Sequence, residues 1–318
     1  MPEPSREFLR ELLRQARITG PKLDELVARA LDPDYWRGLV PDCHIESAAA
    51  ALELAPVDHA AVDVAIRSEK SEGYFHLPGI LPLDGVRRLN AAIDAVTAAG
   101  WPSAFLFMFD EGWQCARLPG AIRVAEAILG PGFRQIPHVW AHVVQPSDGA
   151  AGWSPHVDGD PIRCLTVWVG LTPSTLDNGC MHVVPASVTR SLPDLTARFR
   201  ASHSQFSRAE VSSLLHATHA LVTEPGDALG WGFDVIHWGG FFRCGGEERR
   251  ALSFEYIAAD QEPRSDDLAL VEIGTLPTFA DRLRFVSAAI AAYPKFEAMV
   301  DRFVGVAEAI TKHLERHG

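Results

Sequence analysis

The sequence predicts a mainly β core, a sandwich or jelly-roll barrel, with helices flanking it at both ends. Three observations carry this reading. From Phe133 to Ala258, short segments rich in Val, Trp and Ile alternate with Gly, Pro, Asp and Ser, the spacing of many short strands. On either side, apolar residues recur at the helical period. No internal repeat or low-complexity tract divides the 318 residues. A single domain is therefore expected, with a helical N-terminal extension over 1–70, the core over 71–260 and C-terminal helices over 261–318.

Phe8, Leu9, Leu12 and Leu13 open a helical pattern; Gly20-Pro21 breaks it, and Leu23, Leu26, Val27 and Leu31 resume it. Residues 60–70 form a further short helix. Gly73 to Gly79 reads as an aromatic strand ending in a turn. Asp84 to Ala98 is amphipathic, with Val86, Leu89, Ile93 and Val96 on one stripe. Trp101, Phe105, Phe107, Phe109 and Trp113 mark either a buried strand and loop or a substrate-facing wall. Residues 119–129 are helical and stop at Gly130-Pro131-Gly132. Strands are expected at 133–146, 153–157, 163–171, 180–184, 219–223, 227–231, 234–238 and 250–258. The polar stretch 202–219 is a surface loop with a helical turn, or a lid. Two helices close the chain. One carries Phe279, Leu283, Val286, Ile290 and Tyr293; the other carries Phe296, Val300, Phe303, Ala307, Ile310 and Leu314.

A net charge of −12 argues against nucleic acid and anionic membranes as partners. Five cysteines without a C-x-x-C pair favour free thiols in a reducing compartment. The N-terminus shows no signal-peptide pattern, and no apolar run approaches the ~20 residues that span a bilayer. A cytoplasmic protein acting on a small molecule is expected.

The most informative stretch is Trp153-Ser154-Pro155-His156-Val157-Asp158. In an extended chain, His156 and Asp158 share a face and aim an imidazole and a carboxylate at one point. Phe233 to Gly240, which contains His237, offers a third ligand. Two His and one carboxylate with open positions suit non-haem Fe(II) and O2 chemistry.

Three pieces then follow in order: His156-x-Asp158; the strand Leu165 to Leu171, bearing Trp168, with Asp177-Asn178-Gly179-Cys180-Met181 after it; and Glu224-Pro225-Gly226-Asp227 leading to His237 and Arg249-Arg250-Ala251-Leu252-Ser253. This pattern resembles the phytanoyl-CoA dioxygenase family of Fe(II)/2-oxoglutarate-dependent oxygenases, from about Gly73 to Ala258. The resemblance implies a double-stranded β-helix, the cupin-like jelly roll. It implies Fe(II) held by His156, Asp158 and His237, with 2-oxoglutarate and O2 as co-substrates. It also implies an Arg near the start of the last core strand that clamps the distal carboxylate of 2-oxoglutarate. Arg249 is selected by the Arg-x-Ala-Leu-Ser pattern, with Arg250 the alternative, since strand neighbours face opposite ways. Trp168 resembles a family Trp beside the metal. The chain departs from the family at Gly239, where a small hydroxyl residue is usual, and at Val188. Asp158 favours hydroxylation over halogenation, which needs a small residue there.

The expected reaction is hydroxylation of an unactivated C–H of an amino acid or natural-product intermediate, with release of succinate and CO2. A cupin-type oxygenase or isomerase that does not use 2-oxoglutarate is the alternative. Phe107, Phe109, Trp113, His138 and Trp140 are the substrate candidates, with Trp153 nearby. His142 and His182, on predicted strands, are read as core residues, with cavity lining as the alternative. No phosphate-cradling loop or basic groove favours a CoA thioester.

Overall fold

A computed structural model describes residues 17–47, 52–147, 150, 152–158, 163–192, 194–200, 206–243, 246–262, 268–293 and 298–317. The first part of the helical pattern expected over 6–31, up to residue 16, lies outside them, as do Cys244, Gly245, Phe296 and the start of the 202–219 stretch. In chain order the elements are α1 (Pro21–Ala30), α2 (Pro33–Leu39), α3 (His59–Glu72), β1 (Tyr74–Leu77), α4 (Leu83–Ala98), a 3-10 segment (Ser103–Met108), α5 (Asp110–Cys115), α6 (Pro119–Leu129), β2 (Arg134–Val144), β3 (Cys164–Gly170), β4 (Met181–Val184), α7 (Ala186–Thr189), α8 (Leu195–Arg200), α9 (Arg208–Ala217), β5 (His219–Leu221), β6 (Ala228–Gly232), β7 (Ile236–Gly239), β8 (Arg249–Ile257), β9 (Val271–Glu272), α10 (Phe279–Ala292) and α11 (Ala298–His317).

The helices start and stop where side chains serve their orphan backbone groups. Asp58 caps α3 by accepting from the amides of Ala60 and Ala61. Gly73 ends it in the left-handed region, φ 78°, and turns the chain directly into β1. A Cβ at Gly73 would stand 2.5 Å from that of Ala186, so this turn also requires glycine for space.

The strands form two antiparallel sheets. One has six strands in the order β1-β6-β3-β8-β2-β9, and the other has three in the order β5-β4-β7. Alternation along β8 separates their two cores. Leu252, Phe254 and Tyr256 join the large core shared with the helices, including Val286 and Ile290 of α10. The residues between them turn the other way. There Trp168, Leu229, Trp231 and Ala251 of the large sheet meet Met181 and Val183 of the small one. The functional cavity lies on this second face.

Two expected strands are not formed. Residues 103–115 are helical turns rather than a strand and loop. The period-two spacing of Phe105, Phe107 and Phe109 imitates a strand, but these rings are buried on every side, between α4, α10 and β2. Phe107 meets Trp113 and Phe254 at ring-centroid distances of 5.8 and 6.0 Å. At 153–157, Pro155 has no N–H to donate, and pairing there contracts to a single bridge between His156 and His237. Residues 208–217 form a helix, α9, capped by Ser207 and Glu210. No helix among the described residues is long and apolar enough to cross a membrane.

Candidate metal centre

The His156–His237 bridge builds the site. The two residues exchange both backbone hydrogen bonds, at 3.1 and 2.9 Å. Their rings consequently sit side by side, centroids 4.2 Å apart. Each ring then orients itself by the same device. Nδ1 of His156 lies 2.7 Å from the Ser154 carbonyl, and Nδ1 of His237 lies 3.2 Å from the Val235 carbonyl. A carbonyl only accepts, so each Nδ1 carries the proton and each Nε2 presents its lone pair. Both Nε2 atoms face the same atom, Oδ1 of Asp158, at 3.5 and 3.4 Å. One ligand atom from each residue falls within 4.8 Å of the others.

The second carboxylate oxygen is engaged elsewhere. Oδ2 of Asp158 accepts from Thr166 Oγ1 at 2.7 Å and from Trp231 Nε1 at 2.8 Å. Trp231 also packs on His237, ring centroids 4.4 Å apart. Asp158 therefore offers one oxygen and is held by two donors behind it, the outer arrangement that fixes metal ligands. Burial opposes its charge, but His237 and His156 outweigh burial and hold Asp158 well below the usual carboxylate range. For His156, burial is likewise outweighed by Asp158, and its proton affinity is raised. Two imidazole nitrogens and one carboxylate oxygen on one side of a point form the donor set of a non-haem Fe(II) centre.

Arg249 supplies the other half of the cavity. It is 3% exposed and shares the cavity lining with the trio. Its Nη1 reaches only the Met181 sulfur, at 3.8 Å, and its buried Nε has no hydrogen-bond partner among the described residues. Burial lowers its pKa to about 10, so it stays charged. A buried guanidinium short of acceptors is a receptor for a carboxylate. The residues therefore fit 2-oxoglutarate beside a metal. Arg250 points away, to Asp94 Oδ1 at 2.6 Å and to Glu248.

The glycine at 239 has a steric cause. A Cβ there would stand 2.8 Å from Gly152 Cα and 2.9 Å from Arg249 Nη2. The guanidinium and a facing glycine occupy the space in which a serine or threonine would stand.

His138, Trp140, Trp153 and Trp168 line the same cavity. Phe107, Phe109 and Trp113 do not; all three are fully buried in the aromatic core, and the substrate role expected for them is withdrawn. His142, expected as a core residue, lines the cavity and contacts Ser253 Oγ at 3.0 Å. Burial, with Arg249 beside it, lowers His142 to about 3 and keeps it neutral. His182 stacks on Trp238, away from the cavity. Sequence reasoning missed Thr166, Trp231, Glu255 and Tyr293. Thr166 was legible in principle, two residues from Trp168 and so on its strand face.

Residues 110–251 match the family model described as Phytanoyl-CoA dioxygenase (PhyH). The class is that of iron- and 2-oxoglutarate-dependent oxidoreductases. Among solved structures, the fold is similar to the "non-heme alpha ketoglutarate dependent epimerase SnoN from nogalamycin biosynthesis" (19% identity, 70% of this chain and 98% of that one, TM-score 0.54). It is also similar to "non-heme monooxygenase; ThoJ apo" (15% identity, 78% of this chain and 99% of that one, TM-score 0.51). No curated protein sequence matches the chain.

Proposed function

We propose that the chain hydroxylates an unactivated C–H bond of a small molecule, an amino acid or a natural-product intermediate. In this reading Fe(II) sits on His156, Asp158 and His237, and 2-oxoglutarate is anchored by Arg249. The two sheets act as the halves of a double-stranded β-helix with the metal at its mouth. The observation that carries the proposal is the pairing of a monodentate His/His/Asp trio with a buried, under-satisfied arginine in one cavity. A cupin using the same trio without 2-oxoglutarate would leave Arg249 with no task.

When bound, the metal and 2-oxoglutarate supply the oxidising chemistry, with succinate and CO2 released. The residues position and shield. Ser154 and Val235 carbonyls fix the imidazole tautomers. Thr166 and Trp231 hold Asp158 to one-oxygen ligation. Met181 stands against the arginine, and Trp168 and Trp231 line the rest of the cavity with apolar surface. The similar folds carry the names of a non-heme alpha ketoglutarate dependent epimerase and a non-heme monooxygenase, in keeping with this reading.

Anaerobic titration with Fe(II) and 2-oxoglutarate, followed by succinate release on exposure to O2 with candidate substrates, tests the proposal. A product heavier by one oxygen supports hydroxylation, whereas a product of unchanged mass points to epimerisation. Absence of 2-oxoglutarate binding by the metal-loaded protein overturns it.

A further inference from the structure

The cavity carries one more charge than the proposed chemistry uses. Arg249, Ala251, Ser253 and Glu255 alternate along one face of β8, and Arg249, Ser253 and Glu255 line the cavity. Arg249 and Glu255 are six residues apart, about 20 Å along a strand rising about 3.4 Å per residue. Opposite charges thus stand at opposite ends of one strand face. At the Glu255 end, across the β3–β8 ladder, Thr166 lies directly opposite Glu255 and holds Asp158 by its hydroxyl. Glu255 therefore stands beside the residue that holds Asp158, six residues along the strand from Arg249.

Charge bookkeeping, which rests on the proposed function, separates the two ends. Asp158 and the two carboxylates of 2-oxoglutarate carry three negative charges. A divalent ion and Arg249 carry three positive ones, so the co-substrate end is neutral. Glu255 remains. Its ion-pair partner is His138, with Nδ1 3.6 Å from Oε2, longer than a hydrogen bond; among the described residues no lysine or arginine pairs with it. Glu255 is 29% exposed and His138 38%, so both stand where a ligand enters.

The walls beside this carboxylate are aromatic. Tyr293, at the end of α10, meets Trp153 at 5.0 Å and Trp140 at 5.4 Å between ring centroids, and all three line the cavity. Tyr293 lies outside the span matched by the family model, so the C-terminal helices complete this end. A carboxylate beside electron-rich rings attracts a cation and opposes an anion.

We infer that the substrate is a small molecule bearing an amino or quaternary ammonium group, and that Glu255, with the Trp140–Trp153–Tyr293 wall, receives that group. An anionic substrate, a CoA thioester included, would meet Glu255 with like charge.

The test uses three probes of similar size: benzyltrimethylammonium, benzyl alcohol and phenylacetate. Binding is read from the fluorescence of the cavity tryptophans, with and without Mn(II) and 2-oxoglutarate. The cation is expected to bind at least tenfold tighter than either comparator. Glu255→Gln should bring its affinity to that of benzyl alcohol and leave benzyl alcohol unchanged. Tyr293→Leu should weaken the cation severalfold while the far-ultraviolet spectrum stays that of the wild type. Equal affinity for the three probes, no saturable binding of the cation, or an unaltered cation affinity in Glu255→Gln overturns the inference. Cation selectivity in a protein that fails to bind Mn(II) and 2-oxoglutarate would leave this inference standing and sink the proposed function. The reverse pattern would do the opposite.

Discussion

Thr166→Val and Trp231→Phe isolate what the structure adds to the metal trio. Each removes one donor from Oδ2 of Asp158, formed at 2.7 and 2.8 Å respectively, and nearly preserves shape. Thr166 is 5% exposed and Trp231 3%, so bulk water does not simply replace the lost donor. A hydrogen bond to a charged group contributes about 1.5–3 kcal/mol. If that is spent holding Oδ1 toward the two Nε2 atoms, each variant should bind metal roughly ten- to a hundred-fold more weakly, the usual cost of losing an outer-shell partner. Both donors serve one oxygen, so the double variant should lose less than the sum of the two. The assay is anaerobic calorimetry with Mn(II) and no 2-oxoglutarate, alongside thermal unfolding of the metal-free proteins. Metal affinity within twofold of wild type in both variants would refute the reasoning. So would a lowered melting temperature at unchanged affinity, since the two hydrogen bonds would then serve only the fold.

Arg249→Leu should raise the 2-oxoglutarate Kd of the Mn(II)-loaded protein by about tenfold or more, from the loss of a charge-assisted contact, while Arg250→Leu changes it little; calorimetry on both variants decides. Phe107→Ala should cost about 3–5 kcal/mol in urea unfolding without a selective change in substrate or 2-oxoglutarate affinity; a selective loss of substrate affinity would return Phe107 to the cavity wall. In the metal-free protein, His142 stays neutral to about pH 3 when folded but takes a proton near its ordinary value of about 6.5 when unfolded. Its contribution to stability therefore falls as pH drops from 6.5 toward 3, and His142→Gln should flatten that part of the profile in urea titrations at stepped pH.

Much of the architecture was legible because strand and helix periods differ. β2, β3, β4, β6 and β8 lie within a few residues of the segments read from Val-, Ile- and Trp-rich runs, and α10 carries the stripe seen in the sequence. The failures have a common cause. Periodicity says which residues share a face but not what covers that face. Phe105, Phe107 and Phe109 alternate like a strand, yet they belong to helical turns wrapped in core on all sides. Tyr293 fits the apolar stripe of α10, yet it sits one residue past the helix and turns toward Trp153.

The site divides along the same line. His156, Asp158 and His237 could be gathered from the sequence because a single i, i+2 pair and one facing strand suffice. Strand parity made the choice between Arg249 and Arg250 binary and the Arg-x-Ala-Leu-Ser pattern favoured Arg249, which lines the cavity while Arg250 lies against Asp94. What could not be read is long-range. Trp231 is 73 residues from the carboxylate it holds, and Gly152 is 87 from Gly239. The glycine at 239 illustrates the point. By sequence alone it is a missing hydroxyl; in space it is the gap into which the Arg249 guanidinium fits. A position that departs from a family's pattern can thus make room for the charged group beside it, because steric room and hydrogen bonding compete for the same few ångströms around a buried arginine.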